Sequence, residues 1–551
     1  MKKYLLKAVG LILAVCVVLT TAACKDNKND KKPTKSKPND SSSSSPVSSD
    51  DNSSDNNSDL DSDDDFDLDL DLDDDFFDFS ITNEATVNLK NNNPIKSNYA
   101  GLSGLLHCYW FMPDNTLEDS YTEEELNISI KRLLQMGTSV IRTFYAPGWS
   151  WDKDKADWDW DSEYMKGFYK FCDLLKKNNI DIIVNPIEGL TNSASSNIGE
   201  TNPFPILAGG DEEKCYDYYG QWCVDFVKEV IVKRGYSNIK YFMQATEPNN
   251  SDPSINKFNN WLKQVRKCDE ALKKAGLRDK LKFVGPNSSV GYDTNNLTGF
   301  QWLEWAVKYG NDVIDIYSNH TYVFSAAMAD DYESFWREFS EKCEKIVAPT
   351  GKPFWHDEYN VVKVGSYRET AKNPLQATQV ALAQVAMMNA GVDSSVVWQL
   401  ADIKWPNTTT TAPPSWEEGI HVIGLDTSIL QSTIPRNAYY VYCMLGTAIK
   451  AGDKIYKGVS ETDGVYSVMT EHKDGKRSII VINLSWNDCD VTLNFDKSIG
   501  GKTFERRIYN PNTFKATTKA TPIGVDGTLK NIKSTLKDKV GSYSVVVYNE
   551  K

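Results

Sequence analysis

The chain has 551 residues, of which 25% are charged and 40% hydrophobic, and its formal net charge is −15. This length predicts two or three domains, and 21 Pro with 32 Gly exclude a collagen-like chain and one disordered throughout. The acidic charge argues against nucleic acid as a partner. However, residues 1–24 carry +3, residues 25–80 carry −12 and residues 81–551 only −6, so the net charge says little about the ligand.

The first 24 residues have the pattern of an export signal. Two lysines precede an apolar run over residues 5–19, which is short for a membrane span and ends in small residues. Cys24 follows Ala22 and Ala23 directly, which resembles the lipobox of bacterial lipoproteins. The resemblance implies a lipidated Cys24 and a location on the extracellular face of the bacterial cell membrane. Thr21 stands where the pattern usually has Leu, so ordinary cleavage nearby is the alternative.

Residues 25–80 are rich first in Lys, Asn and Ser and then in Asp. So little apolar surface under such self-repulsion cannot form a packed core, which predicts a disordered, extended tether. Fully stretched, it would reach about 180–200 Å. The alternative, a calcium-collecting segment, lacks the spaced loop with a turn-forming Gly that defined calcium sites have.

Beyond the tether, short apolar runs alternate with amphipathic helices. Tyr164, Phe168 and Leu175 share one helical face, and the apolar strand 180–186 follows at once. Strands this apolar are typical of a parallel sheet that is buried on both faces. The predicted strands are about Tyr99–Tyr109, Ser139–Tyr145, Ile180–Pro186, Ile239–Thr246, Lys282–Gly285, Val313–Ser318, Pro353–Asp357 and Ser395–Leu400.

Eight strands alternating with helices predict an α/β fold, a (β/α)8 TIM barrel over residues 96–433. The alternative is a doubly wound open sheet, but no Gly-rich phosphate loop follows any strand. Beyond residue 433 the pattern changes to short alternating strands, with a hairpin signal at Lys473–Lys476. This pattern predicts an all-β sandwich domain over residues 434–551, to which residues 81–95 contribute a further strand.

The active site of such a barrel lies at the C-terminal ends of its strands. The polar and aromatic residues at those positions are His107, Arg142, Glu188, Glu247, Asn287, His320, Glu358 and Trp398. Glu247 and Glu358 each interrupt an apolar or aromatic strand end. Strands four and seven lie on opposite sides of a barrel, so we expect the two carboxylates to face one cleft.

Two opposed carboxyl groups are what cleavage of a glycosidic bond needs. One, protonated, gives its proton to the leaving oxygen, and the other, ionised, attacks the anomeric carbon. We expect burial beside a second negative charge to raise the pKa of the acid, and Arg142 to lower that of the nucleophile. Asp357 is an alternative to Glu358, since strand alternation predicts that only one of the two points inward. Glu188 is a further rival.

Glu247-Pro248 after strand four, Glu358 after strand seven and Arg142 in strand two resemble the clan A retaining glycoside hydrolases. The trailing β-sandwich is similar to families 39, 30, 51 and 79 of that clan. The resemblance implies that Glu247 is the acid/base and Glu358 the nucleophile, and that Arg142 and the strand-six residues His320 or Tyr322 bind the substrate. Thr246 departs from the clan, which usually has an Asn there that binds the sugar 2-hydroxyl; this leaves the exact family open.

Further residues are predicted to bind the substrate. Trp149 belongs to a tryptophan cluster in the loop after strand two, which either stacks on sugars or forms a small core of its own. Trp398 at strand eight is predicted to be the platform beneath the cleaved sugar. His107 and Asn249 complete the predicted substrate-binding set.

No metal and no cofactor are expected, because the five His are scattered and lack paired spacing. The eight Cys beyond Cys24 lack CxxC pairs, and most lie among apolar residues, which favours buried free thiols.

The sequence therefore predicts a secreted, lipid-anchored glycoside hydrolase that acts as a monomer. We expect it to cleave β-linked plant-type polysaccharide or oligosaccharide with retention. The first alternative is a non-catalytic carbohydrate-binding lipoprotein, which would tolerate the loss of either Glu and which Thr246 supports. The second, a solute-binding lipoprotein, would have two α/β lobes and no C-terminal sandwich.

Overall fold

The computed structural model describes eight segments of the chain, and the predicted export signal, Cys24, the tether and Glu188 lie outside them. These segments are residues 83–111, 123–186, 202–249, 254–290, 298–323, 332–361, 373–400 and 435–551. Within them, no helix combines the length and the apolar character that crossing a membrane requires.

Eight parallel strands close into a barrel, with the last strand hydrogen-bonded to the first. This confirms the predicted (β/α)8 fold. Two short strands, β4 (Trp151–Asp152) and β5 (Asp157–Trp158), form a hairpin in the loop after the second barrel strand. In barrel order the strands are β2 (Ser103–Leu105), β3 (Val140–Tyr145), β6 (Asp181–Pro186), β7 (Ile239–Phe242), β8 (Lys282–Val290), β9 (Ile316–Val323), β10 (Phe354–Val361) and β11 (Ser394–Val397).

The fifth, sixth and seventh strands run further than the apolar pattern predicts. Their added residues at the C-terminal ends are largely polar, yet β8, β9 and β10 stay paired through Val290, Val323 and Val361. A polar side chain at the barrel mouth is buried without losing its hydrogen bonds, because neighbouring strand ends supply partners. Apolar periodicity alone therefore ends these strands too early.

Helices surround the barrel. The helix predicted around Phe168 is confirmed; Ser162 caps it by accepting a hydrogen bond from the Met165 N–H. The helices are α1 (Glu123–Gln135), α2 (Glu163–Lys177), α3 (Pro203–Leu207), α4 (Glu212–Phe226, continued by a π-helical segment at Val227–Lys233), α5 (Ile255–Lys274), α6 (Thr298–Gly310), α7 (Tyr332–Val347), α8 (Pro374–Asn389) and α9 (Asn437–Ala448).

Strand alternation separates two apolar layers. In β3, Val140 and Phe144 belong to the cluster inside the barrel, whereas Ile141 and Tyr145 belong to the cluster between strands and helices. Arg142 lies between Val140 and Phe144 in this alternation and is fully buried. A buried guanidinium needs an anionic or carbonyl partner, so the sequence of β3 places a cation inside the barrel that other strands must satisfy.

The C-terminal domain is a mostly antiparallel sheet of nine strands, which confirms the predicted all-β domain. The strand before the barrel, β1 (Glu84–Leu89), belongs to it and pairs with β12 and, in parallel, with β15. The other strands are β12 (Lys454–Ser460), β13 (Val465–Glu471), β14 (Arg477–Asn483), β15 (Cys489–Phe495), β16 (Lys502–Tyr509), β17 (Gly527–Ile532), β18 (Thr535–Val540) and β19 (Val545–Glu550).

The sheet domain packs on the last barrel helices. The Thr378 hydroxyl on α8 donates to the Tyr543 carbonyl at 2.6 Å, and the Tyr509 hydroxyl donates to the Pro374 carbonyl at 2.8 Å. The eight cysteines beyond Cys24 are buried and free, as expected: Cys108, Cys172, Cys215, Cys223, Cys268, Cys343, Cys443 and Cys489.

Candidate active site

The fourth and seventh barrel strands bring the two predicted glutamates together. Glu247 follows β7, Glu358 lies in β10, and His320 of β9 stands between them. Each of the three residues places one side-chain nitrogen or oxygen atom within 4.8 Å of the corresponding atoms of the other two. The carboxyl groups therefore share one site at the C-terminal end of the barrel.

Glu358 is held at both oxygens. Arg142 Nη1 donates to Oε2 at 2.5 Å, and the Tyr322 hydroxyl donates to Oε1. The side chain is only 6% exposed. Both carboxyl oxygens therefore act as hydrogen-bond acceptors. The arrangement fixes the orientation of a buried carboxyl group.

Arg142 is itself fixed from a second side. Its Nε and Nη2 both donate to Asn185 Oδ1, at 3.1 and 2.7 Å, and its Nη1 also donates to the Asp357 carbonyl at 3.1 Å. Arg142 is thus tied to the third and seventh barrel strands at once. The planar guanidinium transmits this constraint to Glu358.

Glu247 lies in the loop that follows β7, in the left-handed region at φ +44°. Its backbone N–H donates to Asn287 Oδ1 at 3.1 Å, and its Oε1 lies 2.8 Å from His320 Nδ1. The side chain keeps 17% of its surface exposed. Glu247 is the more accessible of the two carboxyl groups.

The expectation that burial beside a second carboxylate raises the pKa of Glu247 is wrong for the free protein. Burial does act to raise that pKa, but the hydrogen bond and charge of His320 outweigh it, with help from Arg142, and the pKa lies below its usual range. The sequence predicts a cation, Arg142, only beside Glu358. The structure adds the His320 imidazole between the two carboxyl groups.

His320 is fully buried among three carboxyl groups. Burial lowers its pKa, but the negative charges of Glu358 and Asp357 and the hydrogen bond to Glu247 raise it further, and the net shift is upward. The carboxyl groups around His320 therefore favour its protonated form.

Asp357 and Glu358 both point into the site, so the expectation that only one of them does is wrong. His356 pairs with Asn319 and Glu358 with His320, which leaves Asp357 as an extra residue in β10. Such a bulge breaks the strict alternation of side chains. Asp357 is fully buried, and its Oδ2 accepts from Asn287 Nδ2 at 2.7 Å.

A second bulge lies in β8. Pro286 pairs with Ser318 and Ser288 with Asn319, so Asn287 is the extra residue, and its φ is +57°. From there the Asn287 amide reaches both Asp357 and the backbone of Glu247. From the sequence, Asn287 is expected to shape the turn after Pro286, and its bonds to Asp357 and Glu247 are a further finding.

Asn185 was missed by the sequence analysis, although it lies at the end of the third strand. Besides binding Arg142, it accepts from the Thr246 hydroxyl at 3.0 Å and donates to the Ala245 carbonyl at 3.2 Å. The Thr246 proton is therefore already used within the protein. Asn185 and Glu188 both lie near the end of the third strand, and the sequence favours Glu188 because it is a carboxylate. An inspection of every polar residue at this strand end would also have identified Asn185.

An aromatic group adjoins Arg142 inside the barrel. Phe144 lies under the guanidinium, 5.3 Å from its carbon, and packs on His107 and on Trp398. The ring centroids of His107 and Trp398 are 5.9 Å apart in an edge-on arrangement. Trp398 is 8% exposed, and its role as a sugar platform stays a prediction, as does that of His107.

Two predicted substrate-binding residues are placed otherwise. Trp149 is 1% exposed and packs between Tyr145 and Tyr164, so it belongs to the core of its loop and offers no face to a sugar. Asn249 bonds both polar atoms of its side chain to the backbone of Ser289, at 2.7 and 2.8 Å. Asn249 therefore fastens the loop after β7 to β8.

The cluster of Glu247, His320 and Glu358 has the residue types of a metal site, but its bonding does not fit one. Both oxygens of Glu358 already accept hydrogen bonds, one of them from the positive charge of Arg142. His320 Nδ1 is bonded to Glu247. A divalent cation would have to displace these partners against the charge of a buried guanidinium.

Comparison with known proteins shows the same architecture at low identity. No protein-family model and no curated protein matches the sequence. Among solved structures, a family 30 endoxylanase from Clostridium papyrosolvens matches with a TM-score of 0.55 at 13% identity, over 85% of this chain and 100% of that one. A family 39 β-xylosidase from Caulobacter crescentus matches at 0.54 and 14%, over 85% and 99%. An α-L-arabinofuranosidase from Thermotoga maritima matches at 0.57 and 12%, over 85% and 100%.

The predicted likeness to the barrel-and-sandwich glycosidases of clan A is thereby confirmed at the level of the fold.

Proposed function

We propose that this protein is a retaining glycoside hydrolase that cleaves β-glycosidic bonds in plant-type polysaccharide or oligosaccharide. The observation that carries the proposal is the pair Glu247 and Glu358, whose carboxyl oxygens approach within 4.8 Å at the barrel mouth. The carboxyl groups of retaining enzymes are about 5–5.5 Å apart, whereas inverting enzymes leave about 6.5–9.5 Å for a water molecule. The fold that the chain shares with xylanases and xylosidases supports it.

In the first step Glu358 attacks the anomeric carbon and forms a covalent ester, while Glu247 gives its proton to the departing glycosidic oxygen. Arg142 and Tyr322 keep the Glu358 carboxylate ionised and aimed. In the second step Glu247 takes a proton from water, the water oxygen bonds to the anomeric carbon, and the ester electrons return to Glu358.

The charges around His320 suit this change of role. In the free protein His320 holds the pKa of Glu247 below its usual range, and the negative charge of Glu358 acts in the opposite direction, towards a protonated Glu247. Once Glu358 is esterified, its charge is gone, and Arg142 and His320 favour an ionised Glu247. The nucleophile thus tunes the acid/base, which must be protonated in the first step and ionised in the second.

The structural neighbours, an endoxylanase, a β-xylosidase and an α-L-arabinofuranosidase, support this substrate class. The test is a panel of 4-nitrophenyl β-D-xyloside, β-D-glucoside and α-L-arabinofuranoside with soluble xylan, run on the full chain. Turnover of a β-glycoside or xylan is expected, and turnover of the arabinofuranoside alone would change the assigned linkage.

Variants assign the roles. Glu358→Gln should lose activity by ~10³-fold or more, and Glu247→Gln by about 10²–10⁴-fold, with azide restoring product release in the Glu247 variant only. Glu213→Gln, on the outer helix α4 and 73% exposed, is the matched control and should be fully active. Xylan binding without turnover would contradict the proposal and identify a carbohydrate-binding protein.

We propose further that Cys24 carries a lipid anchor, on the strength of the sequence Ala22-Ala23-Cys24. In cells, Cys24→Ala should move the protein from the detergent to the aqueous phase of a Triton X-114 extract and abolish palmitate labelling. Cys16→Ala, within the apolar run, should change neither. An aqueous wild-type protein would refute the anchor.

A further inference from the structure

Two buried polar atoms face each other beneath the catalytic pair without forming a hydrogen bond. His320 Nε2 and Asp357 Oδ1 are 3.7 Å apart, and among the described residues neither atom has a hydrogen-bond partner. Both side chains are fully buried. A shift of about half an ångström would bring them within the usual N–H···O range of roughly 2.7–3.2 Å. Hydrogen bonds in catalytic sites are often long in the free protein and tighten with substrate.

The other atoms of the two side chains are already engaged. His320 Nδ1 lies 2.8 Å from Glu247 Oε1, and Asp357 Oδ2 accepts from Asn287 Nδ2 at 2.7 Å. Closing the gap therefore completes a continuous chain of hydrogen bonds from Asn287 through Asp357 and His320 to Glu247. The bulge in β10 makes this arrangement possible, because it lets the adjacent residues Asp357 and Glu358 both point into the barrel.

The charged groups around His320 indicate what this chain of hydrogen bonds does. Four side chains of the described residues face His320: Glu247 after the fourth strand, Asp357 and Glu358 of the seventh strand, and Tyr322 of the same strand as His320. Arg142 of the second strand lies beyond them. Arg142 compensates Glu358, and His320 is the group that faces both Glu247 and Asp357. A buried carboxylate without a compensating cation would be strongly unfavourable.

We propose that Asp357 is a positioning residue for proton transfer: it holds His320 as an imidazolium, and His320 Nδ1–H in turn orients and stabilises the ionised form of Glu247. This rests on the glycosidase function proposed above. Asp357 touches no reacting atom. The step that depends on it is the second one, in which the Glu247 carboxylate takes a proton from the attacking water.

Substitution Asp357→Asn separates this role from a merely structural one. The new amide still accepts from Asn287, but its NH2 group faces His320 Nε2 and favours the neutral imidazole. With 2,4-dinitrophenyl β-D-xyloside, or the same derivative of the sugar that the panel identifies, the first step needs no acid because the leaving group is good. We expect kcat to fall by ~10-fold or more and kcat/KM to stay within about 2-fold.

Proton titration gives a second readout, independent of turnover. The chain has five His, and burial lowers the pKa of His356 to about 3, so imidazole-labelled protein gives few titrating signals; His320→Gln identifies the one of interest. In the wild type, His320 should titrate above its ordinary value of about 6.5. In Asp357→Asn its midpoint should fall by at least ~1 unit.

Asp453→Asn is the control, because Asp453 bonds His472 at 2.9 Å in the sheet domain; it should leave kcat and the His320 midpoint unchanged. An equal loss in kcat and kcat/KM, or a His320 midpoint that Asp357→Asn leaves in place, would overturn the inference. If the variant does not fold, a wild-type midpoint at or below about 6.5 does so as well. If no glycoside is hydrolysed, the proposed function fails. The titration still shows whether Asp357 raises the pKa of His320.

Discussion

Glu247 and Glu358 reach the same point of the barrel from opposite walls, with carboxyl oxygens no more than 4.8 Å apart. They are held differently: Glu358 accepts from two rigid donors, whereas Glu247 has more exposed surface and pairs with a titratable imidazole. The difference suits a nucleophile that stays ionised and an acid/base that gains and loses a proton.

The short separation predicts retention of anomeric configuration. There is no room between the carboxyl groups for the water that an inverting enzyme activates. Proton NMR of the first product formed from xylan or a β-xyloside should show the β-anomer, with the α-anomer appearing later by mutarotation. An α-anomer formed first would rule out Glu358 as the nucleophile.

Arg142→Lys should damage both activity and stability. Lysine keeps the charge, but it cannot bond Asn185 twice and Glu358 at the same time, and it leaves buried acceptors unpaired. We expect kcat/KM to fall by ~100-fold and the free energy of unfolding by about 2–4 kcal/mol, measured by kinetics and urea denaturation.

Arg266→Lys is the matched control for that change. Arg266 makes a two-point ion pair with Asp312 at 2.6 and 2.8 Å, but on the surface. A change within about 0.5 kcal/mol and full activity are expected there. Equal effects of the two substitutions would contradict a special role for Arg142.

Tyr322→Phe should lower kcat by about 10–100-fold, since a hydrogen bond to a charged group contributes about 1.5–3 kcal/mol. The change removes only the hydroxyl that donates to Glu358, so the melting temperature should move little. Tyr317→Phe is the control on the same strand: its hydroxyl donates to Asn311 at 2.9 Å outside the barrel, and activity should persist. If Tyr322→Phe left kcat intact, the hydrogen bond would have no catalytic role.

Stability should depend on pH through Glu344 at the opposite end of the barrel. Burial raises its pKa to about 7; Lys96 opposes this shift and Asp393 adds to it. The folded state therefore binds a proton that the unfolded state loses at pH ~4.5, so the stability contribution is full below that pH and is lost as pH rises to about 7.

Glu344→Gln should flatten this dependence, which amounts to about 3 kcal/mol, in denaturation curves recorded from pH 4.5 to 8. Lys96 keeps its 2.8 Å contact with Asp393. Glu338→Gln, an exposed carboxylate on the same helix, should leave the slope unchanged. An unaltered slope in Glu344→Gln would exclude this group as its source.

Much of the fold was readable from the sequence because the barrel strands are buried on both faces. Such strands are continuous apolar runs, and the residues that end them, including Arg142, Glu247 and Glu358, can be placed at the barrel mouth by counting alone. The outcome for Trp149 and Asn249 shows the limit of this counting, since burial and backbone bonding decide whether a residue at the mouth faces the ligand.

The sequence by itself determined the barrel, the all-β domain and the opposition of the two glutamates. Each apolar run can be recognised within its own segment, and the position of a strand in the barrel follows from counting the strands along the chain. Only the tertiary structure decided that Asp357 joins Glu358 inside, that Asn287 bridges both walls and that His320 lies between the carboxyl groups. A bulge shifts register by one residue, and its position depends on hydrogen bonds to the neighbouring strand, which no single strand encodes. The pKa of Glu247 depends in turn on charges from two other strands, His320 of β9 and Arg142 of β3.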